Sequence, residues 1–274
     1  MSRLDRRALF TSGAAAALLA ASGVSLNAAP RRGGRLRLAV PRADARFDMV
    51  MRGAVYETLT EVGPDGLLRG ELATAWTSDA TGGEWTLDLR TDARFHDDRP
   101  FTSDDAAQSL QGHGLNAVVD VDGPHRLHLK LDAPSPQLPY LLADPEMIMM
   151  PDGVATDTPV GTGLYQVQRY QAERHFLGRR VQPHYKDGQA GWFDEVEIAV
   201  IPDPAVRAEA LRDGFVDVAD LPQAEGLGDT SALILRPDAE TIELAARDGV
   251  GVPKRLGSRA PLDDGRIAQR WWIA

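Results

Sequence analysis

Cysteine is absent from the 274 residues. That excludes a disulfide framework, a thiolate nucleophile and any cysteine-ligated zinc or iron–sulfur centre. Positive charge is also short: 30 Lys and Arg stand against 40 Asp and Glu, a formal charge of −10. Such a chain offers phosphate backbones and anionic membrane surfaces nothing to be drawn to, so nucleic acid is not expected as a partner. Beyond the first thirty residues no apolar run approaches the ~20 residues that span a bilayer, and no repeat of solenoid period is present. What remains is 43% hydrophobic and 26% charged, the composition of a folded protein with a sizeable core.

The first thirty residues differ from the rest. Arg3, Arg6 and Arg7 make a basic start, Ala8 to Val24 is a mildly apolar run, and Ala28 and Ala29 precede Pro30. This is the layout of a secretory signal over residues 1–29. The order Asp5-Arg6-Arg7-Ala8-Leu9-Phe10 looks like a twin-arginine export motif, with Arg6 and Arg7 as its pair. With no cysteine to acylate, the exported form is expected in the periplasm, soluble and not a lipoprotein. Removal of the signal leaves 27 basic and 39 acidic residues, a formal charge of −12.

Along the rest of the chain, strands announce themselves by alternation. Trp85, Leu87 and Leu89 share one face of Glu84–Arg90; Leu127, Leu129 and Leu131 do the same in the next such run, and Val196, Ile198 and Val200 in a third. Helices are marked by their caps. Thr102-Ser103-Asp104-Asp105 puts a hydroxyl and carboxylates ahead of Ala106, Ala107 and Leu110. Asp203-Pro204 opens a second helix that runs towards Gly214. Turn formers crowd Gly63–Gly66 and Asp97–Pro100. Without strict βαβ order, the pattern predicts an α+β (mixed α/β) fold.

No reactive set emerges from the residue types. His125 and His128 are three apart on a predicted strand and so face opposite ways, unable to share a metal. His96 beside Asp97 and Asp98 has no G-x-S-x-G elbow to serve and reads as a hydrogen-bonding turn residue. Gly161-Thr162-Gly163 lacks the spaced glycines and the Lys-Ser/Thr of a P-loop. Asp263-Asp264 lacks the further oxygen ligands of a calcium loop. The expectation is therefore no enzyme, no cofactor and no metal.

Read in order, several segments resemble the peptide/nickel class (family 5) of ABC-transporter solute-binding proteins. They are Gly33–Val40, Val55-Tyr56-Glu57-Thr58-Leu59 followed by Gly63-Pro64-Asp65-Gly66, and Glu71–Trp76. Phe95-His96-Asp97-Asp98-Arg99-Pro100-Phe101-Thr102 is the most specific of them. Pro159-Val160-Gly161-Thr162-Gly163-Leu164-Tyr165 and Phe193–Asp220 complete the series. The resemblance implies a two-lobe clamp that closes over a solute and is then read by a membrane permease.

On that resemblance, residues 30–254 correspond to lobe I, and 255–274 to the crossover towards a second lobe that is largely missing. The implied function is capture of peptides or related small solutes for an ABC permease complex in the inner membrane. Tyr56, Thr162, Gly163 and Asp217 are the expected ligand-facing positions. The alternative is a single-lobe accessory module that binds a partner subunit or a second copy at the surface of the missing lobe, with Trp271 and Trp272 as contacts.

Overall fold

The computed structural model describes residues 33–42, 45–63, 66–153, 158–222, 227, 233–237 and 242–247. Two sheets organise them. The larger has seven strands in the order β12 (Leu233–Pro237), β13 (Ile242–Arg247), β11 (Val218–Ala219), β1 (Arg35–Val40), β10 (Glu195–Val200), β9 (His175–Arg180) and β8 (Tyr165–Gln171). The smaller has four, in the order β4 (Ala73–Ser78), β5 (Glu84–Leu89), β7 (Arg126–Leu131) and β6 (Ala117–Val121). A short hairpin of β2 (Thr60–Val62) and β3 (Leu68–Gly70) lies between β1 and β4 in the chain. The predicted mixed α/β class is what forms.

Most pairings are antiparallel, but the centre of the large sheet is not. β1 runs parallel to both of its neighbours, β10 and β11. Its side chains alternate as a strand covered on both faces requires. Leu36, Leu38 and Val40 pack with Phe47, Met51 and Val55 of helix α1 (Ala45–Val55). Ala39 points the other way, to Ala208 and Leu211 of α4 (Pro204–Arg212). Two further helices, α2 (Ser103–Gly112) and α3 (Leu138–Leu141), belong to the small sheet. There Leu87, Leu89, Leu127 and Leu129 meet Phe101, Leu110, Leu138 and Met149 in a second core. Each such leucine removed from water contributes about 1.5–3 kcal/mol.

The caps read from the sequence are present. Asp105 Oδ2 accepts from the Thr102 amide at 2.8 Å and from the Thr102 hydroxyl at 2.7 Å at the start of α2. Asp203 Oδ1 accepts from Ala205 N at 2.8 Å at the start of α4. After α4, Gly214 takes a φ of 80°, which lets the chain turn back into β11. No helix among the described residues is long and apolar enough to cross a membrane. Arg6, Arg7, Trp271 and Trp272 lie outside the described residues.

Candidate functional site

Three of the four expected ligand-facing residues come together. The segment 161–163 lies against the end of α1, so closely that a Cβ on Gly161 would stand 2.1 Å from Val55 O and one on Gly163 would stand 2.6 Å from Ala54 O. Only glycine allows that approach. Gly163 N donates to Val55 O at 2.8 Å, and Tyr56 follows directly, packed against the α1 core. Burial pushes the Tyr56 phenol up from its ordinary value.

Three successive carbonyls of this segment are each held. His96 N donates to Gly161 O at 2.9 Å. His184 Nε2 donates to Thr162 O at 3.0 Å, and His96 Nε2 donates to Gly163 O at 2.7 Å. A carbonyl only accepts, so both imidazoles carry their proton on Nε2. Gln166 Nε2 closes the ring by donating to His96 O at 2.8 Å. Burial pushes His96 below its ordinary value, the hydrogen bond to Gly163 opposing it. Thr162 is buried, and its Oγ1 has no hydrogen-bond partner among the described residues.

Asp217 is not part of this group. It precedes β11, four strands away from β8 in sheet order, and grips Arg37 of β1. Arg37 Nε and Nη2 donate to its two oxygens at 3.0 and 2.8 Å, and Arg37 N donates at 2.9 Å. His128 lies on the wet face of the small sheet beside Thr86, whereas His125 precedes β7 and offers its carbonyl to Leu89 N.

Next to the glycine segment is a buried ionic group that sequence reasoning missed. Lys186 Nζ stands 3.2 Å from Glu57 and 3.3 Å from Glu61, and pairs most closely with Glu71. Glu71 also accepts from Thr58 N and from the Thr58 hydroxyl. Tyr185 donates to Glu57 Oε1 at 2.5 Å, with the Arg90 guanidinium 3.7 Å above its ring. Burial alone would push Lys186 down, but the carboxylates of Glu71, Glu57 and Glu61 outweigh it and hold the ammonium above the usual lysine range. One ammonium shared by three carboxylates ties the 57–71 segment to the turn at Lys186. Burial, then the charges of Glu57 and Glu71, push the Tyr185 phenol well up. Apart from Glu61, which lies in the three-residue strand β2, these charges sit at turns or chain junctions, positions that are wet by default, and no local periodicity marks them.

The position best placed to take a ligand follows from strand order. β1 leaves for α1 on one face of the sheet and β10 for α4 on the other, so the connections diverge at the carboxyl ends of β1, β10 and β11. In open α/β sheets such a divergence is where ligands bind. The edge is stiff. Ile201 N donates to Val40 O and Asp220 N to Ala39 O. The buried Arg207 donates to Asp220 O and Ile201 O at 2.6 Å and to Pro202 O at 2.9 Å.

A mixed sheet with a parallel centre, helices on both faces and a smaller antiparallel sheet alongside is the architecture of a periplasmic-binding-protein lobe. Solved structures carry it too. The PBP AgaA in complex with agropinic acid, from A.tumefacien R10, is 25% identical with a TM-score of 0.61, over 68% of this chain and 44% of that one. DppA from Helicobacter pylori in complex with peptide STSA shares the fold with a TM-score of 0.66 at 19% identity, over 75% and 51%.

Residues 68–241 match the model of the bacterial extracellular solute-binding proteins, family 5 Middle, and the chain belongs to that family. The nickel-binding periplasmic protein of Escherichia coli (strain K12) is 27% identical over 192 residues, which is 62% of this chain and 36% of that protein. The chain thus spans about half, or less, of the length of these relatives.

Proposed function

We propose that the chain serves as a solute-facing lobe of a periplasmic binding protein that supplies an ABC importer with peptides or related small solutes. The observation that carries this reading is the family match over residues 68–241. In it, the solute sits against the carboxyl ends of β1, β10 and β11, while Tyr56, Thr162, Gly163 and Asp217, which the strand register puts towards the amino ends of β1, β8 and β11, form a separate border of the lobe. Their contacts within the chain keep that border in shape. Export follows from a signal over residues 1–29, with Arg6 and Arg7 read by the twin-arginine route.

The test is a thermal-shift and titration screen of the purified chain against short peptides, nickel complexes and agropinic acid. A true ligand raises the melting point saturably, since at 100 times Kd it adds about 2.7 kcal/mol to the folded state. Arg42→Glu, two residues beyond the end of β1, should weaken that binding. No saturable ligand in any class would remove the reading. Arg6→Lys with Arg7→Lys should leave the precursor in the cytoplasm; unchanged export would remove the twin-arginine part.

A second reading, an accessory module that binds a protein partner, is supported by Phe215, 70% exposed on the turn between α4 and β11. Trp271 and Trp272 would be further contacts. Phe215→Ser with unchanged transport of every solute in cells would remove it.

A further inference from the structure

The small sheet ends in an edge that is unusually apolar. β6 reads Ala117-Val118-Val119-Asp120-Val121, with Val118 56% and Val121 42% exposed. Sheet edges in stable monomers are commonly blunted with lysine, proline or a bulge. β6 has none of these and pairs in unbroken register with β7.

The register fixes which backbone groups are free. Asp122 N donates to Arg126 O, and Asp132 N donates to Asn116 O. Hydrogen-bonded pairs recur every second residue in an antiparallel ladder. Asn116, Val118, Asp120 and Asp122 therefore turn their amides and carbonyls to β7, while Ala117, Val119 and Val121 turn theirs outward. Of these, Ala117 N is used by Leu115 O. Among the described residues no other strand pairs with this edge.

We infer that β6 is a self-pairing edge: two copies of this chain join antiparallel through β6, with Val119 on the two-fold axis, into one continuous eight-stranded sheet. In that register Val119 of each copy exchanges both hydrogen bonds with Val119 of the other. Val121 N of each copy meets Ala117 O, whose amide partner is already inside its own chain. On the helix side of the sheet, Val119 lies against Val119 and Val121 against Ala117, so the exposed Val121 is covered.

On the opposite face Val118 stands across from Asp120 of the other copy. Lys130 is the neighbour of Val118 on β7, and its long side chain can reach over the valine to that carboxylate. No like charges oppose one another. A symmetric, self-complementary patch of this kind closes as a two-fold dimer. Its small area makes the association weak and reversible.

Analytical ultracentrifugation of the full chain from about 1 µM to about 1 mM should show a monomer–dimer equilibrium. Val118→Asp places two carboxylates opposite each other twice per dimer and should weaken the association about tenfold. Circular dichroism should show the monomer fold unchanged, because Val118 is on the wet face. The cysteine-free sequence allows an independent reading. Val119→Cys should form an interchain disulfide on mild oxidation, since hydrogen-bonded partners stand about 5.5 Å apart at Cα, within reach of the bond. Thr77→Cys, on the other edge strand, should not. A monomer at every concentration, with Val119→Cys cross-linking no faster than Thr77→Cys, overturns the proposal. So does a dimer indifferent to Val118→Asp, which would use another surface or an unrelated register.

Discussion

The imidazole of His96 reaches a residue 67 positions further along the chain, donating from Nε2 to the carbonyl of Gly163 at 2.7 Å. The same residue's backbone fixes Gly161 and Gln166. One turn residue of the small-sheet region thereby holds the glycine segment that leads into the large sheet.

That half-buried imidazole makes stability depend on pH. Its folded pKa is lowered from 6.5, burial being the largest cause. In the interval between the lowered value and 6.5 the unfolded chain binds a proton that the folded chain does not, so stability rises with pH there. The stabilisation is complete above 6.5 and is lost as pH falls towards the folded value. Urea unfolding across that interval should show the slope, and His96→Gln, which keeps a donor for Gly163 O, should flatten it.

Adding one methyl group to the glycine segment should be costly. Gly161→Ala or Gly163→Ala would drive a Cβ into the backbone of Val55 or Ala54, which cannot rotate away. A loss of about 1–3 kcal/mol is expected, read as a lower denaturation midpoint. A neutral result would mean that the end of α1 can shift outward.

Lys186→Met should be the more damaging change. It leaves Glu57, Glu61 and Glu71 facing one another without their shared cation. Breaking a buried ion pair from one side costs about 3–5 kcal/mol, a large part of the stability of a domain. Equilibrium unfolding, or a drop in soluble yield, would report it.

Thr162→Val is expected to have the opposite sign. The hydroxyl is buried with no partner among the described residues, so replacing it with a methyl group of similar shape removes a desolvation cost of about 1–3 kcal/mol. A higher melting point checks this. A lower one would show that Oγ1 is hydrogen-bonded in solution.

Much of the fold was legible because it is local. The alternation of Trp85, Leu87 and Leu89 and of Leu127 and Leu129 gave β5 and β7, and Thr102 and Asp203 marked the starts of α2 and α4. The turn at Asp97–Pro100 is visible in its residue types, and Asp98 takes the left-handed φ of 68°. The family resemblance, carried by ordered strings, placed the chain correctly.

What stayed hidden is set by long-range pairing. The parallel centre of the large sheet depends on strand order, which a period-two pattern does not contain. Tyr185 and Lys186 occupy a polar turn whose burial is created by Glu57 and Glu71, more than a hundred residues earlier. The sequence reading grouped Asp217 with Thr162, because both fall in recognisable strings, although the sheet holds them four strands apart.

The central position of β1 also orders events in time. Its partners Glu195 and Asp217 lie 160 and 180 residues downstream, so on a ribosome the earliest strand must wait until nearly all the described chain has emerged. The small sheet, drawn from the contiguous stretch Ala73 to Leu131, has no such wait and can assemble while synthesis continues. Distant pairing slows folding, which leaves a long interval in which β1 is synthesised but unsheltered, open to chaperones or to proteases.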